Sequence, residues 1–147
     1  MSFNSYILDF CLRQDGSTDF EFLPYDVSLA RCLRYCYSLF ANQGGDNYLR
    51  YGISDCWNTT SVETYIYMPV TMRIRPSLTT TGTASDYALF SAGSVIACNT
   101  APTMANANSP KITIINATVT AGLTAGRVAQ LISNNNLNSY LILSAEL

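Results

Sequence analysis

Val70-Thr71-Met72-Arg73-Ile74-Arg75 alternates apolar and polar side chains without a break and is bounded by Pro69 and Pro76. A period of two puts Val70, Met72 and Ile74 on one face and Thr71, Arg73 and Arg75 on the other. The stretch therefore reads as a half-buried β-strand, with Pro69 marking an edge or a bulge. The same alternation, or a short apolar run between turn residues, recurs on both sides. It predicts strands near residues 35–40, 48–53, 61–68, 87–90, 94–98, 112–119 (bending near Asn116), 128–133 and 140–143. Gly44–Asn47, Thr79–Thr83, Asn99–Pro110 and Asn134–Asn136 read as loops between them. One helical pattern interrupts: Asp26 stands where an N-cap belongs, and Leu29, Cys32, Leu33 and Cys36 fall on one face of a helix over 27–36. Many short strands broken by Gly, Pro and Asn predict an all-β fold, a β-sandwich or jelly roll with one short N-terminal helix.

Composition narrows the function. In 147 residues, apolar side chains make up 48% and charged ones only 12%, with net charge −2 and no histidine. The charged share is about half the usual one. No clustered Lys and Arg is available for a nucleic-acid backbone, so no nucleic acid is expected as partner. Without histidine, no Ser-His or Cys-His pair and no His-ligated metal can form. No run approaches the length of a membrane helix, and residues 1–13 lack a signal-peptide core, so no membrane partner is expected. Five cysteines (Cys11, Cys32, Cys36, Cys56 and Cys98) show no paired framework and read as reduced, mostly buried thiols of a chain made in a cytosol. The sequons at Asn58 and Asn116 matter only in a secretory pathway.

Few side chains are candidates for chemistry. Cys32 and Cys36 on one helix could offer two thiolates to zinc, but small sulfur side chains filling a contact explain them better. Asp46, Asp55, Glu63 and Asp86 are candidate acids outside the N-terminal segment, and nothing in their spacing sets two of them at a hydrolase separation. No catalytic residue, metal or cofactor is expected. The aromatic group Tyr48, Tyr51, Trp57, Tyr65 and Tyr67 is more informative: it fits a core or an intersubunit seam better than a sugar platform. Trp57, Tyr65, Tyr67, Arg73 and Arg75 are the candidate interface, the two arginines sharing one strand face. Between Tyr87 and Ala145 only Lys111 and Arg127 are charged. A surface so poor in charge predicts cover by neighbouring subunits, and with it a homotrimer.

Residues 16–35, Gly-Ser-Thr-Asp-Phe-Glu-Phe-Leu-Pro-Tyr-Asp-Val-Ser-Leu-Ala-Arg-Cys-Leu-Arg-Tyr, resemble a junction of bacteriophage outer virion proteins. There a strand ending Q-L-E-x-G-S leads into T-x-F-E-x-R-P-Y-x-x-E-L-A-L-C-Q-R-Y. Leu12, Gln14, Gly16, Ser17, Phe20, Glu21, Pro24, Tyr25, Leu29, Cys32, Arg34 and Tyr35 match. Leu23 stands where that family has Arg, and Leu33 where it has Gln. Residues 68–79 resemble the family's F-P-V-x-M-R-x-x-P-T-V-T, and residues 121–147 its closing strand pair. The resemblance implies a non-enzymatic structural protein on the outer surface of the virion, assembled in the host bacterial cytoplasm, with a β-sandwich fold and threefold assembly. In long fibres the domain follows a shaft, whereas Met1 here lies a few residues before the motif. The expectation is therefore a trimeric capsid decoration (cement) protein bound to the major capsid protein. The alternative is a tail-fibre or tail-tip knob contacting tail proteins and host surface glycans. Residues 1–26 read as a tether, with Tyr6, Leu8, Phe10 and Leu12 on one strand face seeking a partner, and residues 27–147 as the sandwich domain.

Overall fold

Alternating large apolar and small polar side chains carry 43% of the described residues into strands. A computed structural model describes residues 23–43, 45–106 and 108–146. The proposed tether residues Tyr6, Leu8, Phe10 and Leu12 lie outside the described residues. The chain divides after Cys32 into two compact units.

Helix α1 spans Tyr25–Leu33 rather than 27–36. Pro24 sets its start: the Pro24 carbonyl accepts the Val27 and Ser28 N–H groups, each at 3.1 Å. Asp26 therefore sits within the first turn, where its carboxylate faces the positive end of the helix dipole, and does not cap it. The helix stops at Leu33 and Cys36 opens a strand, so Cys32 and Cys36 do not share a helical face. Among the described residues no three His, Cys, Asp or Glu side chains gather at one point.

The second unit holds strands β1 (Cys36–Phe40), β2 (Arg50–Cys56), β3 (Ser61–Tyr67), β4 (Ser77–Thr80), β5 (Tyr87–Ser91), β6 (Ser94–Ala97), β7 (Thr103–Met104), β8 (Ile112–Thr118), β9 (Val128–Ser133) and β10 (Tyr140–Ser144). They form a three-stranded sheet, β1-β10-β4, and a seven-stranded sheet, β6-β5-β9-β2-β3-β8-β7. Each pairing is antiparallel. Among the described residues the fold is an all-β sandwich with one short α-helix.

A single core joins the sheets. Leu141 and Leu143 of the small sheet belong to one buried cluster with Val62, Ile66, Leu89, Ile115, Ala117 and Leu131 of the large one. Tyr87 ties the two together at one end. Its ring is fully buried against Tyr51, centroids 6.0 Å apart. Its hydroxyl donates to the Tyr140 carbonyl at 2.6 Å and accepts the Thr81 N–H at 3.1 Å. Tyr51 is anchored in turn by a 2.7 Å hydrogen bond between its hydroxyl and Ser139. Ser54 and Thr64, opposed on β2 and β3, satisfy each other inside the core at 2.7 Å.

Residues 70–75 are not a strand. Their backbone reaches several places in turn: Met72 N–H donates to Pro110 O at 2.8 Å and Arg73 N–H to Arg34 O at 2.8 Å. Only Met72 is buried, while Ile74 is exposed. The reason is topological. This segment carries the chain from β3 in the large sheet to β4 in the small one, and a backbone changing sheets cannot stay in one ladder. A proline at each end removes a donor as well. Beyond it, Ser77–Thr80 is edge strand β4, so Thr79 and Thr80, expected at the start of a polar loop, lie in a strand. The expected bend at Asn116 is absent, because β8 pairs with β3 without interruption from Ile112 to Thr118. The loop 99–110 contains β7, and it is stapled by the buried Asn108, whose side chain donates to Ala105 O and accepts the Ile114 N–H at 2.6 Å.

Candidate interaction surface

The outward face of the large sheet is built by the register of its strands and by one irregularity. On β2, Arg50 pairs with Ile132 and Gly52 with Leu131, so one extra residue bulges out of the ladder. Simple alternation would put Tyr51 and Ile53 on the same face. The bulge sends Tyr51 into the core and leaves Ile53 outside, 63% exposed. Gly52 allows it: a Cβ there would lie 2.9 Å from Thr64 Cγ2 and 3.0 Å from the Tyr65 carbonyl oxygen.

A row of side chains then crosses six strands. Val95 stands opposite Phe90, Phe90 opposite Gln130, Gln130 opposite Ile53, Ile53 opposite Tyr65, and Tyr65 opposite Ile114. Five of the six are apolar or aromatic, and Val128, Ile53 and Val95 around and within the row are openly exposed. The amide oxygen of Gln130 is shielded in the middle without a hydrogen-bond partner. Beside this row runs a polar one: Asp55 faces Glu63, and Glu63 faces Asn116. Carboxylates directly opposed across a ladder repel. Partial burial, then the Glu63 and Asp55 carboxylates, hold the Tyr65 phenol above its ordinary value, and its hydroxyl donates weakly to Glu63 at 3.4 Å.

The predicted interface residues take separate places. Tyr65 and Tyr67 share the outer face of β3, with Tyr67 68% exposed. Trp57 follows β2 and is 69% exposed, and its N–H donates to Ser61 O at 3.1 Å. Ser61 and Tyr67 are the two ends of β3, so Trp57 and Tyr67 stand about 20 Å apart along the strand. The aromatic group is thus dispersed, with Tyr51 in the core. Arg73 and Arg75 do not share a strand face, because their segment is not a strand. The Arg73 guanidinium lies 5.8 Å from the centre of the Tyr35 ring, and Arg75 Nε donates to Asn108 O at 2.9 Å.

Two open depressions mark this sheet. One, of about 170 Å³, is lined by Tyr48, Arg50, Phe90, Val95 and Ile132, with the Arg50 guanidinium 5.8 Å from the Phe90 ring centre. The other, of about 300 Å³, lies between the Trp57–Asn58 turn and the Glu63, Asn116 and Thr118 side chains. The chain matches no protein-family model, no curated protein and no solved structure. Residues missed by sequence reasoning are Ile53, Phe90, Val95 and Val128. Their exposure follows from the bulge and from cross-strand register, neither of which periodicity reports.

Proposed function

We propose that the protein is a non-enzymatic structural component of a bacteriophage virion: a homotrimeric decoration protein that clamps major capsid protein subunits on the outer surface of the head. The observation that carries this reading is the apolar row across the large sheet, from Val95 through Ile53 to Ile114, with Val128 and Tyr67 exposed nearby. Contiguous apolar surface on a sheet with so few charges favours a binding partner over water. The resemblance of residues 16–35 and 68–79 to phage virion proteins supplies the partner class. The tether role of residues 1–26 belongs to the same proposal.

Counting copies in purified particles, together with imaging, tests it. Hundreds of copies on the head are expected. A few to tens at the tail would favour the alternative, a receptor-binding knob, and no copies in any particle would refute both. Light scattering of the isolated chain should report a trimer, and a monomer at micromolar concentration counts against the assembly. Deleting residues 1–13 should leave a folded domain that no longer decorates heads, and undiminished decoration would refute the tether.

A further inference from the structure

We propose that the notch beside Trp57 is a binding site for a neutral saccharide. Trp57 is the single tryptophan of the chain, and it stands 69% exposed at the end of a hairpin. A sugar ring has a C–H face that needs an apolar platform and a rim of hydroxyls that each donate and accept. Sites for such ligands combine aromatic area with a few fixed polar groups. The notch supplies both. Asn58 is held by its own turn: its Oδ1 accepts the Thr60 N–H at 2.8 Å, the Thr60 hydroxyl at 3.0 Å and the Ser61 N–H at 2.8 Å. That leaves the Asn58 Nδ2 with donors to offer. Asn116, on β8, has a side-chain amide with no partner among the described residues. Glu63, its cross-strand neighbour, is engaged only by the long bond from Tyr65, so it is available as an acceptor. Donors and acceptors thus line the same notch as the exposed Trp57, on strands and a closed turn that need little ordering on binding.

Charge selects among sugars. Among the described residues Glu63 is the only acidic or basic side chain lining the notch, and Asp55 stands directly opposite it. Two carboxylates disfavour an anionic ligand, so the ligand is neutral and not a sialic or uronic acid. A volume of about 300 Å³ suits a terminal unit of a glycan better than a long buried chain. This inference does not rest on the head-decoration reading, since a sugar site is compatible with a head or a tail position.

Because Trp57 is the sole indole, its emission reports on the site directly. The full chain, made in bacteria so that Asn58 and Asn116 stay unmodified, is titrated with glucose, galactose, mannose, N-acetylglucosamine and their short oligomers. N-acetylneuraminic and glucuronic acids are run in parallel. A saturable change with at least one neutral sugar is expected. Calorimetry on Asn116→Ala should then show about tenfold weaker binding, equivalent to about 1.4 kcal/mol. Trp57→Ala should lose binding, while Trp57→Phe, which keeps an aromatic face and the hairpin, should retain part of it. No response to any neutral sugar, a response to the acidic sugars alone, or undiminished binding by Trp57→Ala would each overturn the proposal. Locating the protein on the particle does not affect any of these outcomes.

Discussion

Replacing Gly52 by alanine tests the bulge that shapes the outer face. The added Cβ would lie 2.9 Å from Thr64 Cγ2 and 3.0 Å from the Tyr65 carbonyl oxygen, inside ordinary contact distance. Neither neighbour yields easily. Tyr65 O is main chain of β3, and Thr64 is fully buried with its hydroxyl committed to Ser54 at 2.7 Å. Rotating Thr64 to move its methyl would break that bond. Overpacking of this kind costs about 1–3 kcal/mol. The smaller conformational freedom of alanine in the unfolded chain returns about 0.4–1 kcal/mol. Gly52→Ala should therefore lose about 1–2 kcal/mol in urea unfolding. Thr64→Ser in the same background removes the closest methyl while keeping the hydroxyl pair, so it should recover part of the loss and leave the Tyr65 share. Gly52→Ala as stable as the parent, or additivity of the two substitutions, would refute the steric account.

Three further outcomes follow from other places in the fold. Tyr87→Phe leaves the Tyr140 carbonyl and the Thr81 N–H without their bridging hydroxyl and should cost about 1.5–3 kcal/mol by denaturant unfolding; a smaller loss would mean that Tyr87 does not tie the sheets together. Ala92 holds a positive φ of 51° in the tight turn between β5 and β6, followed by Gly93 at 82°, so Ala92→Asn should raise stability by about 0.5–1 kcal/mol, and no gain would contradict the turn. Burial pushes the Cys98 thiol up from 9.0 to about 12. An unfolded chain ionises that thiol first as pH rises, so its contribution is complete below about pH 9 and is lost progressively towards pH 12. Unfolding free energies at pH 7.5 and 10 should fall less for Cys98→Ala than for the parent, by about 1.4 kcal/mol, and equal falls would refute it.

Periodicity reads well where a strand stays in one sheet with one face buried. Val128–Ser133 is found where the alternation puts it, and Tyr87–Ser91 and Tyr140–Ser144 are extended by a single residue. It fails where tertiary structure redirects the backbone. Residues 70–75 alternate as cleanly as any strand, yet they span the gap between sheets, and the pattern carries no record of which ladder accepts the N–H groups. Thr79 and Thr80 look like loop because an edge strand of a small sheet needs only Leu78 and Thr80 half-buried. On β2 a single extra residue reverses which side chains face water, so the apolar row of the candidate surface was invisible while its member Tyr65 and the nearby Tyr67 were not. Trp57 was legible as an interface candidate, but its companions Asn58 and Asn116 lie 58 positions apart and meet only through the β3–β8 register.

The pairing of β1 with β10 has an engineering consequence. Cys36 is opposite Ser144, and the Ala145 N–H donates to Tyr35 O at 2.7 Å, so the strand that enters this unit and the strand that leaves it run side by side. Adjacent strands are about 5 Å apart. A short linker could therefore join residue 146 to residue 34, and new ends could be opened at Ala92-Gly93, with every ladder kept. Topologically, the unit behaves as a closed loop of chain whose nick can be moved. A cargo fused at the relocated ends would leave from the β5–β6 turn, on the opposite flank of the large sheet from β7, and the native strand order would be unchanged.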